Sequence, residues 1–255
     1  MKNVLIICGK EIKSYFASPI AYLLMAIFAV IFGYFFFSAT AYFVQASMQS
    51  QMQGQNSPMN VNDFIIGPLL GNASVVGLFL IPMISMRLFA EEKRQGTIEL
   101  LLTSPIQDWQ IVLGKWCGAM IMYACVIGIS ALNVALLYAY GKPDWRPIVV
   151  GYLGLLLQGG CLLAIGTFIS TTTSNQIVAG GATFAVCLLL WVLDWVSSYE
   201  QAIWAKVIAY CSVLTHFEPF SKGVIDSKDV VYYLSVIFLG LFLTQRSLES
   251  LRFKS

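Results

Sequence analysis

From Pro19 to Val44 the sequence carries no charged side chain and is dominated by aliphatic and aromatic residues. About 20 such residues in helical form cross the hydrocarbon of a bilayer, where the backbone must satisfy its own hydrogen bonds. Five more apolar runs follow, at about residues 64–86, 111–138, 148–170, 176–193 and 230–244, the last being the shortest. Charged residues are 11% of the 255 in the chain, against about 25% in soluble domains. These runs predict an all-α membrane protein with six transmembrane helices in one domain, residues 1–255. Pro68 and Pro82 are expected to kink the second span. Residues 45–62 are polar and uncharged, which predicts a loop. In the long segment 194–229, residues 202–214 have only the length of a re-entrant or interfacial helix.

Residues 87–115, between the second and third runs, hold charge too dense for hydrocarbon and must lie in water or among headgroups. They also carry helix punctuation. Gly96 ends a helix that contains Glu91, Glu92, Lys93 and Arg94, and Thr97 to Thr103 can form about two turns with Glu99 near the positive N-terminal end. Ser104-Pro105-Ile106-Gln107 then reads as a restart, with Ser104 as N-cap, Pro105 at the first helical position and Gln107 closing a capping box. A short helix between two elbows suits docking better than an ordinary solvated loop does.

Residues 1–17 read as an amphipathic interfacial helix, with Leu5, Cys8, Ile12, Tyr15 and Phe16 on one side and Lys2, Lys10 and Lys13 on the other. A signal peptide is not expected, because the apolar run is short and Lys10 follows it. A lipoprotein box is not expected either, since bulky Ile7 stands where cleavage needs a small residue. Gly114 and Gly118 form a small-xxx-small pair that permits close helix approach. With six spans, one side holds Lys2, Lys10, Lys13, Arg87, Lys93, Arg94, Lys115, Arg246, Arg252 and Lys254, and the other holds Lys142, Arg146, Lys206, Lys222 and Lys228. Ten basic residues against five puts both termini and residues 87–115 in the cytoplasm.

Catalytic chemistry finds little support. His216 is the only histidine, and there is no HExxH, GxSxG, Walker A or GxGxxG pattern. The six cysteines lack metal or disulfide spacing. His216 reads as an interfacial polar residue, Asp194 beside Trp191 and Trp195 as an interfacial anchor, and Glu218 and Asp226 as solvated surface. With almost no ionisable group in the spans, any work must enter from a partner. No catalytic residue, bound metal or nucleic-acid partner is expected.

Three stretches together are similar to one family. Phe89-Ala90-Glu91-Glu92-Lys93-Arg94-Gln95-Gly96-Thr97-Ile98-Glu99-Leu100-Leu101 with Ser104-Pro105 resembles the cytoplasmic loop of ABC-2 type transporter permeases. Lys10-Glu11-Ile12-Lys13-Ser14-Tyr15-Phe16 with Ser18-Pro19 resembles their N-terminal connecting helix, and residues 216–226 resemble the segment before their last span. The first and third stretches look most like the gliding-motility type. The resemblance implies two permease subunits, identical or different, above two cytoplasmic ATPase subunits that hold ATP and Mg; this chain would bind neither and would be no enzyme. It implies that residues 97–103 are the coupling helix, with Glu91, Glu92, Lys93, Arg94, Gly96, Thr97, Glu99, Leu100, Leu101, Ser104 and Pro105 as coupling residues. Lys10, Glu11, Lys13 and Phe16 would belong to the connecting helix. Short re-entrant helices with His216, Glu218, Pro219 and Asp226 would close the extracytoplasmic side. The setting implied is the bacterial inner membrane, the direction export, and a companion with an extracytoplasmic domain is a further expected partner. The competing reading is a membrane scaffold whose ATPase drives an external assembly and moves no cargo. Lipid, polysaccharide, peptide and drug all stay open as cargo.

Overall fold

The computed structural model describes residues 2–52, 60–103, 105–140, 143–199 and 210–252. Among these, six helices are long and apolar enough to span a bilayer. They are α2 (Pro19–Met52), α3 (Gly67–Ser85, entered through a π-helical turn at Asn62–Ile66), α6 (Asp108–Tyr140), α7 (Trp145–Thr172), α8 (Gln176–Tyr199) and α10 (Ser227–Arg252). Four shorter helices complete the described chain: α1 (Lys2–Ala17), α4 (Ala90–Gln95), α5 (Ile98–Thr103) and α9 (Val213–Ser221).

The bundle is built around α7, which packs on α3, α6, α8, α9 and α10. Glycine makes that possible, because between apolar helices in lipid the gain comes from close packing rather than from water release. At Gly159 a Cβ would lie 2.1 Å from the Tyr123 ring of α6, so only a bare Cα admits that ring. By contrast α2 and α8 leave most of their apolar surface outward, as spans bordered by lipid or by another subunit would.

Several boundaries differ from the sequence reading. The span expected to end at Val44 continues as helix to Met52, since residues 45–52 contain neither Gly nor Pro and mostly tolerate a helix. The last span is not the shortest: α10 runs on through Arg252, where Leu248 is buried and Glu249 pairs with Gln245 and Arg246 along the helix. Pro68 does not kink its span; it stands in the first turn of α3, where a missing N–H costs nothing. Of the expected re-entrant stretch 202–214, residues 202–209 lie outside the described residues, as does the side chain of Asp194. Val213 and Leu214 belong to α9, whose N-cap Ser212 accepts from the Leu214 N–H.

The spans alternate between two ends. One gathers α1, α4, the start of α6 and the ends of α7 and α10. The other gathers Asn62, Asp144, α9 and the start of α10.

Candidate coupling site

Helix α1 lies directly on α6. A Cβ at Gly114 would sit 2.8 Å from Ile7 Cβ, and one at Gly118 would sit 2.7 Å from Glu11 Cβ. The small-residue pair thus admits α1 rather than another span. The inward stripe is Ile7, Cys8, Glu11 and Tyr15, while Leu5 is 72% exposed and Ile12 and Phe16 are half-buried. This corrects the expected apolar face. The stripe 7, 8, 11 and 15 has helical spacing too, and it wins because its acidic member finds a partner.

That partner is Lys115, 1% exposed and flanked by the two close-packed glycines. Its ammonium donates to Glu11 Oε1 at 2.7 Å and to the Leu88 carbonyl at 2.7 Å, and lies 2.9 Å from Glu92 Oε1. The Phe89 ring lies 5.1 Å away. Three donor hydrogens meet three acceptors, so a buried cation that would otherwise be prohibitive is satisfied. Lys10, on the exposed side of α1, reaches the same Glu92 oxygen at 3.4 Å. One residue cluster therefore ties α1, α4 and α6 together. A cavity of about 300 Å³ opens beside it, lined by Lys10, Arg87, Glu91 and Glu92 among others. Arg87 donates to Ser14 Oγ at 2.6 Å and approaches Glu91 at 3.5 Å. Tyr15 donates to the Ile84 carbonyl at 2.7 Å, and burial, with Glu11 nearby, pushes its phenol well above the ordinary tyrosine range.

Helix α4 is held from both ends. Phe89 offers no side-chain cap, so the orphan N–H groups of Phe89 and Ala90 donate to Ser170 Oγ of α7, each at 3.0 Å. Lys93 donates to the Thr171 carbonyl. At the other end Gly96 takes the left-handed conformation with φ 70°, its N–H donating to Lys93 and the Thr97 N–H to Glu92. That is a Schellman stop, and an L side chain at this position would be strained.

Helix α5 follows at once and stands outward. Leu100 is 73% exposed, Arg94, Thr97 and Glu99 are exposed, and Ile98 and Leu101 pack toward the core. The restart comes later than expected. Pro105 is exposed and outside any helix, Ser104 lies outside the described residues, and α6 begins at Asp108. The expected capping box rests on Ser104 and so lies outside the described residues; the Gln107 side chain accepts the Trp109 indole N–H at 2.6 Å. Asp108 instead meets Arg252 at 3.3 Å, joining the start of α6 to the end of α10.

Residues expected to act alike are therefore separated. Arg94 faces out, Glu92 and Lys93 face in, and Glu91 is engaged by Arg87 and Gln95. Lys10 and Lys13 stay exposed on α1 while Glu11 turns inward. Lys115 and Ser170 were missed. The usable signal for Lys115 was a lone lysine between two small residues four apart.

The sequence profile of the ABC-2 family transporter proteins matches residues 5–217, from α1 into α9. This chain belongs to the ABC-2 transporter family. The ABC-2 chain is also similar to proteins described as probable multidrug ABC transporter permease YbhR, from Escherichia coli K12 and from Escherichia coli O157:H7. Each is 26% identical over 182 residues, which is 69% of this chain and 48% of the relative. The chain thus spans about half the length of the curated relatives it matches.

At the opposite end of this ABC-2 chain, the expected gate residues divide as well. Glu218 pairs with Lys222 at 2.6 Å on the surface, and Pro219 lies inside α9. Asp226 is exposed beside Lys228, which holds its carboxyl below the usual range through a hydrogen bond and charge. His216 is 2% exposed and bonded to Asp229, which sequence reasoning did not single out. Lys115 and Asp229 both sit within helices of spanning length, so those helices hold more buried charge than expected.

Proposed function

We propose that this chain is the permease subunit of an ABC-2 exporter in the bacterial inner membrane, with both termini in the cytoplasm. It forms half of a translocation pathway with a second permease subunit, identical or related. The observation that carries this reading is α5: a short helix with Leu100 and Glu99 outward, hung on the Gly96 stop and tied through Glu92, Lys115 and Glu11 to a span. In this reading the α5 of each permease subunit enters a groove on one of two ATPase subunits, which hold ATP and Mg and perform hydrolysis. Arg94, Thr97, Glu99 and Leu100 meet the ATPase. Glu91, Glu92 and Lys93 pass its displacement inward to α1, α6 and α7. This chain supplies no catalytic residue.

We extend the reading to the gliding-motility type, on the stretches 89–101 and 216–226, with a companion that carries an extracytoplasmic domain. The uncharged outer surfaces of the spans and the multidrug description of the relatives support an apolar or amphiphilic cargo. The test is affinity purification from membranes followed by protein and lipid mass spectrometry. The expected result is a stoichiometric nucleotide-binding ATPase with a second permease copy or homologue. Recovery without any ATPase would refute the reading, and ATP turnover without flux in the reconstituted complex would favour the scaffold.

A further inference from the structure

The work assigned to the α1 end makes no use of His216. Its two ring nitrogens both face acceptors: Nδ1 lies 2.6 Å from Asp229 Oδ1, and Nε2 lies 2.8 Å from the Tyr210 carbonyl oxygen. A backbone carbonyl cannot donate, so Nε2 carries a hydrogen. With Nε2 protonated, a neutral ring would point the Nδ1 lone pair at a carboxylate oxygen at hydrogen-bond distance. That contact is repulsive, so a second proton lies between Nδ1 and Oδ1.

The surroundings favour its residence on nitrogen. The Tyr232 ring stacks on the imidazole at 3.9 Å and 20°, and Tyr210 and Tyr233 meet it edge-on at 4.8 and 6.3 Å. An aromatic face is a good neighbour for a cation. The phenols of Tyr232 and Tyr233 are already spent, donating to the Cys211 and Val213 carbonyls. Asp229 Oδ2 is buried without a hydrogen-bond partner among the described residues, which leaves the carboxylate relying on the imidazole. Other charges nearby pair with each other, Lys228 with Asp226 and Glu218 with Lys222 on the outer side of α9, and the Lys228 charge also acts on Asp229 without forming a close pair with it.

We infer that His216 and Asp229 form a proton-binding site, in which the bound proton makes an imidazolium–carboxylate pair that latches α9 onto the start of α10. The balance is simple. With both ring nitrogens protonated, Nδ1–H meets Oδ1 and Nε2–H meets the Tyr210 carbonyl; loss of one proton leaves a neutral ring with a single N–H for two acceptors, so one of the two contacts is given up. Helix α9 keeps its packing through Phe217 and Phe220 against Gly154 of α7, so release loosens this helix rather than unfolding it. Only the naming of this end as extracytoplasmic rests on the permease reading; the proton does not.

The chain's single histidine makes the test direct. Protein labelled with ¹⁵N-histidine and held in lipid nanodiscs gives a nitrogen spectrum of one residue. At neutral pH the wild type is expected to show both ring nitrogens protonated. Asp229→Asn is expected to show one nitrogen without its proton, and amide exchange in residues 213–221 about tenfold faster at the same pH. A wild-type ring with one unprotonated nitrogen at neutral pH would overturn the assignment, as would an Asp229→Asn spectrum identical to wild type. If that variant does not fold, the wild-type spectrum decides alone. Failure to capture an ATPase would count against the permease reading and leave this spectrum unchanged.

Discussion

The two ends of the molecule each bury a charged contact between helices, and they do so with different redundancy. At the α1 end Lys115 and Lys10 face Glu11 and Glu92, two cations against two carboxylates. If α4 swings away from α6, Lys115 keeps Glu11 on α1, so the buried cation is not stranded. At the α9 end His216 and Asp229 form one close pair, with Asp229 Oδ2 left without a hydrogen-bond partner among the described residues and Lys228 acting on the carboxylate only at longer range. Separating them strands a buried carboxylate, which costs several times more than separating a pair with an alternative. One end shares its buried cation among several acceptors; the other rests on a single close pair.

The sharpest way to break this comparison is Lys115→Met, which strands Glu11 against the close-packed Gly118. We expect a loss of about 3–5 kcal/mol, read as thermal unfolding in nanodiscs, with partial recovery when Glu11→Gln is added. Asp229→Asn comes next, at about 2–3 kcal/mol in the same assay, because a charge-assisted bond to a buried ring gives way to at best a neutral one. Glu92→Gln is expected to cost only about 1 kcal/mol, since Lys115 keeps Glu11 and the Leu88 carbonyl. A cost for Glu92→Gln as large as that for Asp229→Asn would remove the claimed redundancy. Smallest in stability is Glu99→Arg, within about 0.5 kcal/mol for an exposed position. It is nonetheless expected to uncouple ATP turnover from transport in the purified complex, because it sets a cation at the positive end of α5. Full coupling in that variant would count against α5 as the contact.

What was legible in the sequence was what local chemistry encodes. The apolar runs gave the six spans, the left-handed stop at Gly96 was visible as a glycine after a charged turn, and the helix beyond it followed. The inward face of α1 was not legible from periodicity, because two stripes of that helix have helical spacing and only the position of Lys115, 104 residues away, selects between them. Ser170 as the cap of α4 is hidden for the same reason: its partners lie 80 and 81 residues distant. The start of α6 at Asp108 was not legible because the Asp108–Arg252 pair that joins it to the end of α10 is again non-local. Asp229 closes the inter-span segment 194–229 in the sequence reading, and only the packing of α9 on the start of α10 brings His216 against it.

The central claim is that the outward face of α5 is where a nucleotide-consuming partner grips this chain. A photo-crosslinking residue placed at Leu100 in intact membranes tests it most directly. The account expects one dominant adduct, a nucleotide-binding ATPase, with its yield changing when ATP is supplied; an adduct confined to lipid, or no protein adduct at all from a properly folded chain, would contradict it.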